Sequence, residues 1–153
     1  MSAIATHEDT QEDPQRRAER LVSAMVSHDG FSAWLGIEIV DIKPAAATLR
    51  MTVRHDMLNG FGVCHGGIAY SLADSALAFA SNTHGHVTVS IHNSISYPVP
   101  VSEGDVLTAI AQEQSVANRI AFYIVTITNQ LGVAVGHFNG TVYRTDKPLA
   151  TNI

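Results

Sequence analysis

The stretch NGFGVCHGGIAYSLADSALAFASN (Asn59–Asn82) is a glycine-rich loop running into a helical pattern. It carries one carboxylate, Asp74, and no Lys, Arg or Glu. With residues about 65–81 placed 100° apart, Ile68, Ala69, Leu72, Ala73, Ala76, Phe79 and Ala80 fall on one side, suited to a core. Tyr70, Ser71, Asp74, Ala78 and Ser81 fall on the other. A helix face in water normally carries long charged side chains; this one offers hydroxyls, methyls and one acid. Both faces are therefore expected to be covered, the second most simply by another copy of the chain.

Composition narrows the class. At 153 residues the chain suits one domain with a sizeable core. Hydrophobic residues make up 46% and charged residues 15%, a balance fitting a globular protein that hides extra surface in an oligomer. The net charge of −5 and the dilution of Arg16, Arg17 and Arg20 by acids argue against nucleic acid as a partner. No apolar run is long enough to span a bilayer and the N-terminus lacks a signal-peptide pattern, so a cytoplasmic location is expected. The single cysteine, Cys64, excludes an internal disulfide and suits a reducing compartment.

Outward from the central stretch, residues 1–11 read as a flexible tail and 12–147 as a single domain, with a second short tail over 148–153. Ala18, Leu21, Val22, Met25 and Val26 recur at helical spacing, Pro14 is tolerated in the first turn, and Gly30 lies where the helix would stop. Residues 31–36 then read as a turn. Alternation through Ile37, Ile39 and Asp41, and again through Ala47, Leu49, Met51 and Val53, predicts a hairpin. After the long helix, β-rich runs cover 87–97, 106–115, 120–129 and 133–143. The fold class is α+β, an antiparallel sheet curled around one helix too apolar for water.

Chemistry concentrates where the loop meets the helix. A first helical turn leaves backbone N–H groups unpaired and carries the positive end of the helix dipole, so Gly66 and Gly67 can face an anion or a developing oxyanion. A glycine turn shaped only for packing accounts for the loop equally well. It is neither a dinucleotide fingerprint nor a phosphate loop. Asp74 is sharper, because a carboxylate with no neighbouring cation is costly to bury and has its pKa raised; the alternatives are a solvated acid or one bonded to Ser71 or Ser75. It lies eight residues past Gly66, about 12 Å along a helix, so it cannot reach a group held at its own helix N-terminus. Two helices packed antiparallel across a two-fold axis bring Asp74 of one chain to the Gly66-Gly67 amides of the other. Cys64-His65 joins a thiol to a base, but adjacent side chains diverge. His84, His86 and His92 lack acids or cysteines at ligand spacing, so no metal is expected. Asn93 reads as a satisfied polar group in a strand, and Arg119, Arg144 and Lys147 as surface charges or phosphate contacts.

At Met57-Leu58-Asn59-Gly60, Cys64-His65-Gly66-Gly67, Ser71-Leu72-Ala73-Asp74, Tyr97-x-x-Pro100, Gly104-Asp105 and Gly140-Thr141-Val142-Tyr143-Arg144, the chain resembles the hotdog-fold acyl-CoA thioesterases of the PaaI type, associated with phenylacetate catabolism. The resemblance spans about residues 36–147. It implies a hotdog fold, a homodimer with joined sheets, commonly a homotetramer, and hydrolysis of a thioester whose coenzyme A is part of the substrate, with no separate cofactor. By position, Asp74 becomes the nucleophile or the base for water, and the Gly66 N–H polarises the thioester carbonyl. Asn59 holds the nucleophile or water, and His65 orients the loop or the thioester. The residue before Pro100, often basic in the family, is Val99 here, so contacts to the CoA phosphates are expected from Asn118, Arg119 or Lys147. Gly67, Phe61, Tyr70 and Phe79 complete the expected substrate surroundings, favouring an aryl or arylacetyl group. The rivals are a hotdog enoyl-CoA hydratase and a non-catalytic acyl-CoA binding module.

Overall fold

The computed structural model describes residues 12–150. The expected tail over 1–11 lies outside the described residues, as do positions 151–153. Two helices, α1 (Pro14–Ser27) and α2 (Gly30–Leu35), precede strands β1 (Glu38–Lys43) and β2 (Ala46–Thr52). The long helix α3 (Gly66–Asn82) follows, then β3 (His86–Ser96), β4 (Val106–Ala117), β5 (Ile120–Thr128) and β6 (Ala134–Pro148). All strand pairs are antiparallel, in the order β1-β2-β4-β5-β6-β3, so β1 and β3 are the sheet's edges. The sheet wraps α3, which packs against β2 through β6.

Small side chains let the helix come close. Ala69, Ala73, Ala76 and Ala80 meet a sheet face that offers Ala47, Ala109, Ala111 and Ala121, all buried. At Gly140 the approach is closest, since an added Cβ would lie 2.5 Å from Leu77 Cδ2 and 3.2 Å from Phe138 Cε1. Leu72, Leu77, Phe79, Leu107, Tyr123 and Phe138 fill the remaining space. At its end, α3 is tied to β3 by Asn82, whose Nδ2 donates to Thr88 O (3.0 Å) while its Oδ1 accepts from Thr88 N–H (2.9 Å).

Three expectations need correction. Residues 30–35 form a helix, because the Asp29 side chain accepts from Ser32 N–H as an N-cap and Gly36, at φ +74°, closes the other end. In β1 a bulge between Ile39 and Asp41 shifts the alternation, so that Ile42 points inward. At the C-terminus β6 runs to Pro148 and Leu149 N–H donates to Gly85 O (2.9 Å), so the chain stays tied to the body past residue 147.

Part of the second face of α3 is covered within the chain itself. The chain's own α1 and α2 lie against it, with Ser32 Oγ 3.0 Å from Ser75 Oγ, and Ser81 is buried. Ser71, Asp74 and Ala78 remain half-buried.

Because Leu77 and Phe138 are fully buried, Gly140→Ala is expected to cost about 1–3 kcal/mol through overpacking. The midpoint of urea unfolding measures this, and an unchanged midpoint would mean that α3 can back away from β6 freely.

Candidate active site

The loop before α3 is pinned by backbone bonds: Asn59 N–H to Val63 O (2.8 Å), Cys64 N–H to Val101 O (2.8 Å) and His65 N–H to Met57 O (2.9 Å). Asn59 Oδ1 accepts from Phe61 N–H and Val63 N–H, so the side-chain carbonyl shapes the loop itself. His65 is the N-cap of α3, and its ring Nδ1 accepts from Gly67 N–H (2.9 Å). An accepting Nδ1 places the neutral ring's proton on Nε2. Gly67 therefore loses its expected place as an anion donor, its N–H being spent on the cap. The Gly66 N–H has no protein acceptor among the described residues.

Tyr97, read from sequence only as a motif position, sits on this turn. Its hydroxyl donates to Gly66 O (2.8 Å), and a Cβ on Gly66 would lie 3.1 Å from the ring. The Gly66 backbone thus borders an apolar cavity of about 290 Å³ walled by Cys64, Ala69, Tyr97, Val99 and Val101. Burial pushes the Cys64 thiol up to about 11, leaving it a protonated thiol at neutral pH and a poor nucleophile.

Asp74 lies elsewhere, in a groove of about 530 Å³ between α3 and the α1–α2 segment. Its Oδ1 accepts from Asn93 Nδ2 (3.0 Å), and Ser90 Oγ donates to Asn93 Oδ1 (2.8 Å), which fixes the orientation of the Asn93 amide. Burial raises the Asp74 carboxyl above its ordinary value, and the Asn93 hydrogen bond offsets part of that rise. Asn93 reaches α3 because a bulge between Ser90 and His92 reverses the strand's alternation. Sequence pattern marked Asn93 as satisfied but not by what; the bulge hides the link, since Thr88 and Asn93 both face the helix from positions of opposite parity.

The remaining residues scatter. Phe61 is 94% exposed and lines neither cavity. Tyr70 packs its ring edge-on against Phe138, with centroids 5.4 Å apart, and Phe79 is a core side chain, 1% exposed, that only floors the Asp74 groove. Asn118 is a turn residue at φ +58°, Arg119 is paired with Asp146, and Lys147 is exposed near the end of β6. Arg144 is held by Glu113, so it is not a free surface charge. His84 faces Glu113 at 3.6 Å, and among the described residues no three His, Cys, Asp or Glu side chains gather into a metal site. Also among those residues, no helix is long and apolar enough to cross a membrane.

If Tyr97 dictates glycine at position 66, Gly66→Ala should lower the thermal unfolding temperature in the wild-type background and much less in Tyr97→Ala. The double-mutant cycle should give a coupling of about 0.5–3 kcal/mol; additivity would break the proposed contact.

Comparison with known proteins agrees with this architecture. Residues 61–135 match the family described as the Thioesterase superfamily. A putative esterase of Archaeoglobus fulgidus is 37% identical over 129 residues, covering 84% of each chain. The acyl-coenzyme A thioesterase PaaI of Escherichia coli is 38% identical over 121 residues, 79% of this chain and 86% of that protein. The structure of E. coli PaaI, from the phenylacetic acid degradation operon, superposes with a TM-score of 0.87 at 34% identity, covering 90% of this chain and all of the other. A Streptococcus mutans protein solved with acetyl CoA bound has a TM-score of 0.70 at 26% identity, covering 73% and 90% of the two chains. With its sheet wrapped around α3 and these relatives spanning most of its length, the chain belongs to the thioesterase superfamily, as a hotdog-fold enzyme of the PaaI type.

Proposed function

We propose that the protein hydrolyses acyl-CoA thioesters, preferring aryl or arylacetyl groups such as phenylacetyl-CoA and its ring-hydroxylated forms, in aromatic catabolism. The observation that carries the chemistry is the separation of two complementary groups. Gly66 offers an unpaired N–H at the positive end of α3, and Asp74 offers a half-buried carboxylate two turns further on, in a different cavity. One chain therefore holds both halves of a site but cannot join them.

A two-fold partner joins them. The free edge of β3 exposes Val89 and Ile91, at 47% and 55%, which favours sheet-to-sheet pairing along that edge. In the resulting homodimer the partner's helix start meets Asp74, giving two shared sites; two such dimers form the homotetramer. The Gly66 N–H stabilises the oxyanion as the carbonyl becomes tetrahedral. Asp74 either takes a proton from the attacking water or attacks the carbonyl itself. In the first route water's oxygen forms the new C–O bond, the C–S bond breaks and the proton taken by Asp74 passes to the departing thiolate. In the second, Asp74 forms a mixed anhydride as the C–S bond breaks, the thiolate is protonated from solvent, and water hydrolyses the anhydride to the free acid. Asn93 holds one Asp74 oxygen, so the other faces the substrate. Asn59 keeps its Nδ2 for water or substrate, and His65 presents Nε2–H. The bound acetyl CoA of the S. mutans relative supports coenzyme A as the carrier. The reading includes a cytoplasmic location and a reaction carried by these protein groups without a separate cofactor.

Thiol release from a panel of acyl-CoAs should fall by about 10²–10⁴-fold in Asp74→Asn; equal rates would remove Asp74 from the mechanism. Mixing Asp74→Asn subunits with Gly66→Pro subunits, which lack the amide at the first helical position, should restore one intact site per heterodimer. Complete absence of recovery would contradict sites shared between chains.

The pH profile provides a separate check. Because burial raises the Asp74 pKa, kcat/KM should climb with pH along an acid limb displaced upward from the ordinary aspartate value. Asn93→Leu, which removes the hydrogen bond that lowers this pKa, should move the limb to still higher pH. A limb that stays in place would separate Asn93 from the ionisation of Asp74.

A further inference from the structure

The Asp74 groove is lined on one side by Asp74, Ser75 and Ala78 of α3 and on the other by Met25 of α1 and Phe31 of α2. We propose that it is the acyl chamber of the enzyme, and that Met25 and Phe31 set which acyl groups fit. The assignment rests on the thioesterase reading above. A thioester carbonyl held at Asp74 has two directions open to it: the Gly66 cavity, which the shared site places on the partner, and the groove running along α3 from Asp74 to Asn82. That second run spans eight helical residues, about 12 Å, enough for an aromatic ring on a short linker.

The lining matches an uncharged apolar guest. Phe31 is 55% exposed and Met25 half-buried, so both keep apolar surface for a ligand to cover. No Lys or Arg lines the groove. Its acids are Asp74 and Asp29, and a dicarboxylic acyl group would meet them both with like charge. Asp29 is already engaged as the cap of α2, accepting from Ser32 N–H and Ser32 Oγ. His28 is the remaining ionisable residue in the lining, and its Nδ1 sits 2.9 Å from Ser27 Oγ.

The outer wall is fixed firmly enough to discriminate. Leu35 anchors α2 in the core, Ser32 Oγ meets Ser75 Oγ, and the Phe31 ring stacks on Trp34 with centroids 6.0 Å apart. Trp34 in turn lies under the Arg54 guanidinium at 5.3 Å. Phe31 is thus one end of an aromatic ledge.

The test compares kcat/KM for acetyl-, hexanoyl-, phenylacetyl- and succinyl-CoA in wild type, Met25→Trp, Phe31→Ala and Val99→Trp. Met25→Trp should lower the phenylacetyl-to-acetyl ratio by about tenfold or more, and Phe31→Ala should raise the ratio for the bulkier acyl groups. Val99→Trp, in the Gly66 cavity, should change KM for all four thioesters alike and leave their ratios in place. Succinyl-CoA should be the poorest substrate throughout. Ratios that ignore Met25 and Phe31 but follow Val99 would overturn the proposal by placing the acyl group in the other cavity. Dissociation constants for the matching non-hydrolysable thioethers keep the two readings apart. Absence of turnover in wild type would defeat the hydrolase reading, whereas Kd ratios unmoved by Met25→Trp and Phe31→Ala would defeat the chamber.

Discussion

A strand advances about 3.3 Å per residue and a helix 1.5 Å, so four residues of β3 keep pace with about eight of α3. The site depends on this match. Asn93 lies on β3 and Tyr97, four residues on, just past its end, and the residues they hold, Asp74 and Gly66, lie eight apart on α3. One strand running antiparallel to one helix thereby fixes both ends of the reactive stretch, with Asn82 clamping Thr88 at the start of the same ladder. The bulge between Ser90 and His92 is required by this arithmetic, because it absorbs the residue that would otherwise turn Asn93 away from the helix.

The same spacing explains why the two reactive groups stay apart. Eight helical residues separate the amide that can face an oxyanion from the carboxylate that can attack or accept a proton. A straight helix cannot shorten that distance. In the proposed dimer symmetry would offer what folding does not, since a second helix reverses the order and sets unlike ends side by side. Burial acts in the same direction on the two ionisable groups nearby, since it disfavours the charged form of each: it keeps Cys64 a protonated thiol, and at Asp74 the Asn93 hydrogen bond offsets part of the rise.

Much of this was legible in the sequence because α3 is locally encoded. Its start at Gly66, its small-residue core face and the isolation of Asp74 all follow from periodicity and composition, as does the distance that forbids a single-chain site. The residues that escaped are those whose meaning is non-local. Tyr97 acquires its role only when β3 crosses the helix start, and Asn93 only through a bulge that no alternation pattern announces. Asp29 and Gly36 did carry capping signals for α2, but a six-residue helix leaves too little periodicity to stand out against a turn, and with it the wall over Asp74 went unseen. Arg119 and Arg144 show the same limit. Sequence marks each as basic, and only the folded sheet reveals that Asp146 stands against the first and Glu113 against the second.

The free edge of β3 gives this arrangement a gradient of local stability. Asn93 stands on, and Tyr97 just beyond, a strand that among the described residues has a neighbour on one side only, β6, while the helix they brace lies across the middle of the sheet. Local opening of such an edge costs less than opening the interior, so in an isolated chain the braces are the first part of the site to breathe. Pairing along that edge raises the opening cost of the strand that positions Asp74 and Gly66. In the proposed dimer, assembly would do more than bring two half-sites together: it would also decide how long each half-site holds its shape between fluctuations.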